Sequence, residues 1–223
     1  MRSKGLYLRW LGWPLVLVAL LALATVACNN PFTGGPYEET FDDIGSWGSG
    51  ADADAEGDVR SGQYVLLVKA DLGLFWSTAG EDYGDGVYAV EATQLSGPLD
   101  NGYGMIFRMD VENDNFYLFE VSGDGFVWIG KCSLGCEEMA EPIIGEGWFA
   151  SEAVNTGLNN PNRLRVRAEG ANLIFFVNDQ EVGRVTDETY ARGDIGILVE
   201  SLGEGGVEVA FDNFTITPLE NSE

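Results

Sequence analysis

In Arg163-Leu-Arg-Val-Arg-Ala168, charged and apolar side chains alternate one for one. Successive side chains of an extended backbone point to opposite faces. The segment therefore fits a half-buried strand, with Leu164, Val166 and Ala168 toward the core and Arg163, Arg165 and Arg167 away from it. Most of the chain breaks into pieces of similar length separated by glycine, asparagine and aspartate, with 30 glycines as punctuation. Gln63 to Lys69, Gly86 to Leu95, Tyr103 to Asp110, Asn115 to Ser122 and Phe126 to Lys131 form a first group. Arg163 to Glu169, Asn172 to Val177, Glu181 to Thr186, Gly193 to Ser201 and Val207 to Thr217 form a second. Helical periodicity is confined to the first 28 residues, which restricts the remainder to an all-β fold.

Short connections set the strand direction. Glu112-Asn-Asp-Asn115 and Gly123-Asp-Gly125 have hairpin length, and Asn178-Asp179 suits a tight turn because Asn tolerates positive φ. Ten or more short strands joined this way imply a two-sheet antiparallel β-sandwich. Alternation then assigns faces. Met105, Phe107 and Met109 point inward and Arg108 outward; Tyr117, Phe119 and Val121 inward and Glu120 outward; Val127 and Ile129 inward and Trp128 outward.

The N-terminus has a different character. Arg2, Lys4 and Arg9 precede an apolar run from Leu11 to Ala27, which ends in Thr25-Val26-Ala27-Cys28. A charged start, an apolar helix and small residues before a cleavage point are the parts of an export signal. The ending resembles the bacterial lipobox, with Thr25 in place of the usual aliphatic residue. The resemblance implies residues 1–27 as signal helix and Cys28 as a lipid-modified mature N-terminus. An uncleaved anchor and ordinary cleavage near Ala22-Leu23-Ala24 are the competing readings. Residues 28–37, with Pro31, Gly34, Gly35 and Pro36, read as a tether that holds the domain ~15 to 18 Å from the membrane. The sandwich is expected over 38–218, with 219–223 as a tail.

Charge and missing residue types exclude whole classes of function. The twelve basic residues less the three in the signal leave nine against 36 acids, a net charge of −27. Such a surface repels nucleic acid, whose binding needs a basic footprint. With no histidine, imidazole catalysis, Ser-His-Asp or Cys-His arrangements and histidine-ligated zinc are ruled out. Once Cys28 is assigned to lipid, Cys132 and Cys136 remain, and an oxidising compartment makes them a disulfide pair, with Gly135 easing closure of the loop; two free thiols are the alternative. The chain calls for no cofactor. A structural calcium ion is left open around Asp42, Asp43 and Asp212, although 36 acids bring carboxylates together by chance as well.

Several motifs occur in order: Phe41-Asp-Asp-Ile-Gly-Ser-Trp47, Tyr103-Gly-Met-Ile-Phe-Arg108, Asn115-Phe-Tyr-Leu-Phe-Glu-Val-Ser122, Gly147-Trp148, Asn162-Arg-Leu-Arg-Val166, Phe176-Val-Asn178, Gly193-Asp-Ile-Gly-Ile197 and Phe211-Asp-Asn-Phe214. Together they resemble bacterial concanavalin A-like jelly-roll domains, grouped near laminin-G modules and the 3-keto-disaccharide hydrolase-type domain. The resemblance spans Thr40 to Thr217 and is specific for architecture rather than activity. Family 16 glycoside hydrolases share the jelly roll and carry Glu-x-Asp-x-x-Glu on one strand. Here Glu112-Asn-Asp114 begins that pattern but reaches Tyr117 where the second glutamate should stand, so no catalytic residue is assigned.

Sugar clefts combine an aromatic face with groups that hydrogen-bond hydroxyls. Arg108, Glu120 and Trp128 on one face, with Tyr103 nearby, are the candidate ligand-binding residues. A structural arrangement competes, in which Arg108 and Glu120 form a cross-strand ion pair covered by Trp128. The stripe of Arg163, Arg165 and Arg167 either receives an anion or pairs with neighbouring acids. The expectation is a lipid-anchored extracytoplasmic protein with a non-catalytic, carbohydrate-binding sandwich. A sugar hydrolase of the 3-keto-disaccharide or glucan type, and a structural or protein-interaction module of the envelope, are the alternatives. Mass spectrometry of the membrane fraction is expected to find a chain that begins at lipid-modified Cys28; a retained Met1, or Cys28 without lipid, would refute the anchor.

Overall fold

Period-two patterning is realised as sixteen strands in the computed structural model, whose described residues are 35–136 and 140–219. The signal, Cys28 and most of the tether lie outside them. In chain order the strands are β1 (Tyr37–Glu39), β2 (Gly50–Ala51), β3 (Ala55–Arg60), β4 (Gln63–Val68), β5 (Leu72–Thr78), β6 (Gly86–Ser96), β7 (Gly102–Asp110) and β8 (Asn115–Ser122). Then follow β9 (Phe126–Cys132), β10 (Glu141–Pro142), β11 (Phe149–Ala150), β12 (Asn162–Glu169), β13 (Asn172–Val177), β14 (Gln180–Thr186), β15 (Asp194–Leu202) and β16 (Val207–Thr217). One sheet has nine strands, ordered β14-β13-β12-β6-β16-β4-β3-β2, with β1 beside β16. The other has seven, ordered β10-β9-β8-β7-β15-β5, with β11 beside β9. Neighbours in both sheets run antiparallel.

The core lies between the sheets. Tyr88 and Val90 of β6, Leu164 and Val166 of β12 and Phe211 of β16 meet Met105 and Phe107 of β7, Phe119 of β8 and Ile197 of β15. Phe107 stacks on Tyr117 with ring centres 5.1 Å apart, and Phe119 meets Phe175 edge-on at 5.3 Å. Each large side chain buried there contributes roughly 1.5 to 3 kcal/mol. Asn178 and Asp179 both take positive φ in the β13–β14 turn, as the sequence predicts. Tyr37, expected in the tether, instead pairs with Ile216 in β1, and its hydroxyl accepts from Trp47 Nε1 at 3.0 Å.

Strict alternation along β7 would put Arg108 on the outer face beside Glu120, and the structure corrects this. Arg108 has φ +54°, and the register of β7 slips against β8 between Phe107 and Asp110. A bulge adds one residue to the strand, and with it the faces of the side chains that follow are exchanged. Arg108 turns into the end of the sandwich at 1% exposure, and Met109, expected inward, joins an apolar cluster outside the main core. The guanidinium donates to Gly170 O at 2.9 Å, Tyr190 O at 3.0 Å, Gly84 O at 3.5 Å and Asp85 Oδ1 at 2.9 Å. Gly84 and Asp85 lead into β6, and Gly170 joins β12 to β13. One side chain thus fastens β7 to the opposite sheet, and its ion pair is with Asp85 rather than Glu120. Arg108→Met is expected to cost about 3 to 5 kcal/mol because it strands Asp85 and the carbonyls, whereas a loss under about 1 kcal/mol in urea unfolding would refute the fastening role.

Candidate functional site

The seven-stranded sheet has a second apolar face. Side chains that alternate with the core set, Ile106 of β7, Leu118 of β8, Trp128 of β9 and Leu198 of β15, form a separate cluster. Leu74 of β5, Ala140 and Trp148 pack against it. The segment that covers this face leaves β9 through a single 3₁₀ turn, Leu134–Cys136, where a disulfide joins Cys132 to Cys136.

The cover leaves a cavity of about 570 Å³ whose lining includes Glu120, Trp128, Trp148, Glu200, Leu74 and Leu118. Glycines make room for two of the side chains that line it. Gly102 lies in β7 between Glu200 of β15 and Ser122 of β8. A methyl carbon added there would stand 2.6 Å from Glu120 Oε1 and 3.2 Å from Trp148 Cη2. The Glu120 carboxyl therefore lies over Gly102, on the side toward Glu200, and the Trp148 ring approaches the same glycine. At Gly130 an added methyl would collide with the Trp128 ring, which lies along its own strand over that glycine.

Electrostatics set this cavity apart. Glu120 is 1% exposed, and its Oε1 has no hydrogen-bond partner. Burial pushes its carboxyl well above the ordinary range, and the charge of Glu200 pushes it further. Glu200 is half-buried, and burial lifts it to about 7. The pair consequently keeps a proton into the neutral range. A protonated carboxyl both donates and accepts, whereas an ionised one only accepts. Among the described lining residues there is no lysine or arginine.

Of the four candidate ligand-binding residues, two come together. Glu120 and Trp128 are direct cross-strand partners, and both line the cavity. Arg108 is at the end of the sandwich, and Tyr103 faces the core, where its hydroxyl accepts from Asn162 Nδ2 at 3.2 Å. Tyr103 sits between Gly102 and Gly104, the residues of β7 that share the outer parity with Ile106. Glu200 and Trp148 complete the site without having been predicted for it.

The other candidates lie elsewhere. Glu112 is exposed in the turn between β7 and β8, with Asp114 beside it. Arg163 and Arg165 pair with Asp179, Arg167 with Glu169, and the Arg165 guanidinium lies 3.9 Å over the Phe176 ring. Asp42 accepts from Thr40 Oγ1, Asp43 from Gly45 N and Asp212 from Asn213 N. Among the described residues, no group of three or more His, Cys, Asp or Glu is placed to hold a metal ion.

The raised carboxyls have a consequence for stability. Unfolded glutamate releases its proton near 4.5, while the folded pair retains protons above that. The folded state thus binds more protons across this window, and the pair's contribution to stability falls as pH rises from 4.5 through about 7. Glu200→Gln is expected to match the parent near pH 4 and to exceed it by about 1 to 3 kcal/mol at pH 8 in urea unfolding, whereas parallel pH profiles for the two would refute the raised carboxyl.

No protein-family model matches the chain, and no curated protein matches it in sequence. Solved structures do match in fold. The carbohydrate-binding module CBM66 from Bacillus subtilis aligns at a TM-score of 0.52 and 18% identity, over 82% of this chain and 96% of that one. A protein of unknown function with a galectin-like fold, also from Bacillus subtilis, aligns at 0.57 and 12%, over 82% and 96%. Bacillus licheniformis β-glucanase aligns at 0.55 and 14%, over 84% and 100%. The chain is a concanavalin A-like jelly-roll sandwich, an architecture that carbohydrate-binding modules and glycoside hydrolases share.

Proposed function

We propose that this chain is a lipid-anchored extracytoplasmic protein whose sandwich holds a glycan in the groove of Glu120, Trp128, Trp148 and Glu200, without transforming it. One observation carries the glycan-binding reading: Glu120 lines an open cavity together with Trp128 and Trp148, and its buried carboxyl has an oxygen without a partner. A polar atom buried in that condition costs free energy until a donor reaches it. A sugar hydroxyl is such a donor, and tryptophan faces suit the apolar face of a pyranose. The anchor and the location outside the cytoplasm rest on the N-terminal pattern ending at Cys28.

The carboxyl pair favours a second reading, a sugar hydrolase. Glycoside hydrolysis needs one carboxyl that is protonated at working pH and another that is ionised, a division that two coupled carboxyls with raised pKa values supply. Binding without turnover predicts that Trp148→Ala reduces retention on a glycan array by roughly tenfold or more while the fold survives, since central aromatic anchors are worth about 1 to 2 kcal/mol or more. Unchanged retention would reject the groove. Release of product from a keto-disaccharide or glucan, abolished by Glu120→Gln, would replace the binding reading with the hydrolase.

A further inference from the structure

We propose that the groove selects sugars carrying a free amino group, and that the ammonium form of that group sits between the Glu120 and Glu200 carboxyls against the Trp148 ring. This rests on the glycan-binding reading of the same groove and names the class of sugar. Four observations converge on it. Glu120 lines the cavity and its buried Oε1 has no partner, so a ligand that brings donors to this carboxyl is favoured. A hydroxyl brings one hydrogen, whereas an ammonium brings three, enough for two carboxyls at once. Hydrogen bonds between ionised partners are also roughly twice as strong as neutral ones.

The charge of the lining points the same way. Its titratable groups are Glu120, Glu146 and Glu200, and no described basic side chain offsets them. The elements packed around Glu120 present Gly102 of β7, Trp128 of β9, Trp148 and Glu200, so Glu200 is the charged neighbour that faces it. An anionic sugar would meet repulsion there. Trp128 and Trp148 line the same cavity, and tryptophan rings attract a cation through their π faces. The strongly acidic surface of the whole chain draws cations toward the site before any contact forms.

Protons supply a signature of binding. The pair retains a proton into the neutral range because burial and mutual repulsion disfavour two charges on this apolar face. An arriving ammonium supplies the positive charge instead, and the proton leaves to solvent. Affinity should then climb from pH 5 to about 7, as protons cease to compete, and fall where the amine itself loses its charge near pH 8. N-acetylation of the sugar removes both the charge and the extra donors.

The test is calorimetry of the full chain in detergent at pH 6, with a β-1,4-linked glucosamine hexamer and its fully N-acetylated counterpart. Two buffers of different ionisation enthalpy count the protons. The glucosamine hexamer is expected to bind about tenfold more tightly or better, equivalent to about 1.4 kcal/mol, and to release about one proton. Glu200→Gln, which removes a carboxyl without changing shape, should reduce that preference to about threefold or less. Thermal unfolding confirms that the variant is folded. Equal binding of the two hexamers, a preference for the N-acetylated one, or a preference that survives Glu200→Gln would overturn the proposal. If the neutral hexamer or a neutral glycan binds in the groove with no gain from the amine, the glycan-binding reading stands and this selectivity falls; if no glycan binds at all, both fall.

Discussion

The centre of the seven-stranded sheet is buried on both faces, and the rest of the molecule follows from that constraint. Its strands send alternate side chains to two sides, and in β7, β8 and β15 both sets are almost wholly buried. One set joins the core against the nine-stranded sheet. The other needs a separate cover, supplied by the segment that carries Ala140 and Trp148 beyond the Cys132–Cys136 disulfide. Gly102 and Gly130 leave room over the sheet for the Glu120 carboxyl and the Trp128 ring, two of the groups that line the gap between sheet and cover.

This packing explains which elements alternation revealed and which it hid. Segments with one wet face, such as β12 with its arginines, are read directly from period two. Strand β5 escapes because Leu72, Leu74 and Trp76 face one side while Phe75 faces the other, so the apolar run carries no contrast. The two-residue strands β2, β10 and β11 are too short to show a period at all. Strand β1 lies in a proline- and glycine-bounded stretch whose composition suits a tether, and pairing with β16 overrides it.

The site was legible only in part, for related reasons. Glu120 is the one acid in an otherwise apolar stretch of β8, and Trp128 follows at the outward position of β9, so alternation finds both. Arg108 defeats alternation because a bulge has no marker in the residue types, and an arginine at positive φ is not one that sequence would nominate. Glu200 is embedded in Ile195-Gly-Ile-Leu-Val-Glu200, where neither face is polar enough to show which side the carboxyl takes. Trp148 is brought over Gly102 by the covering segment, a contact between residues 46 positions apart that no local pattern records.

Arg108 and Glu120 show how two equally buried charges come to mean different things. Arg108 makes hydrogen bonds to three carbonyls and an aspartate, so its burial is compensated within the fold and its role is to fasten the sheets. Glu120 is as deeply buried, but its Oε1 has no partner and Glu200 beside it raises the cost. Gln94 also has an unbonded buried oxygen, yet it is a neutral amide whose nitrogen donates to Ser96 O and Pro98 O, and it is not among the residues lining this cavity. A glutamine or leucine at position 120 would serve packing at less cost, because neither brings a charge that must be desolvated or neutralised. Nothing within the described fold offsets the carboxyl. On the proposed reading a ligand in the cavity that Glu120 lines supplies the compensation, which would separate a binding group from a structural one.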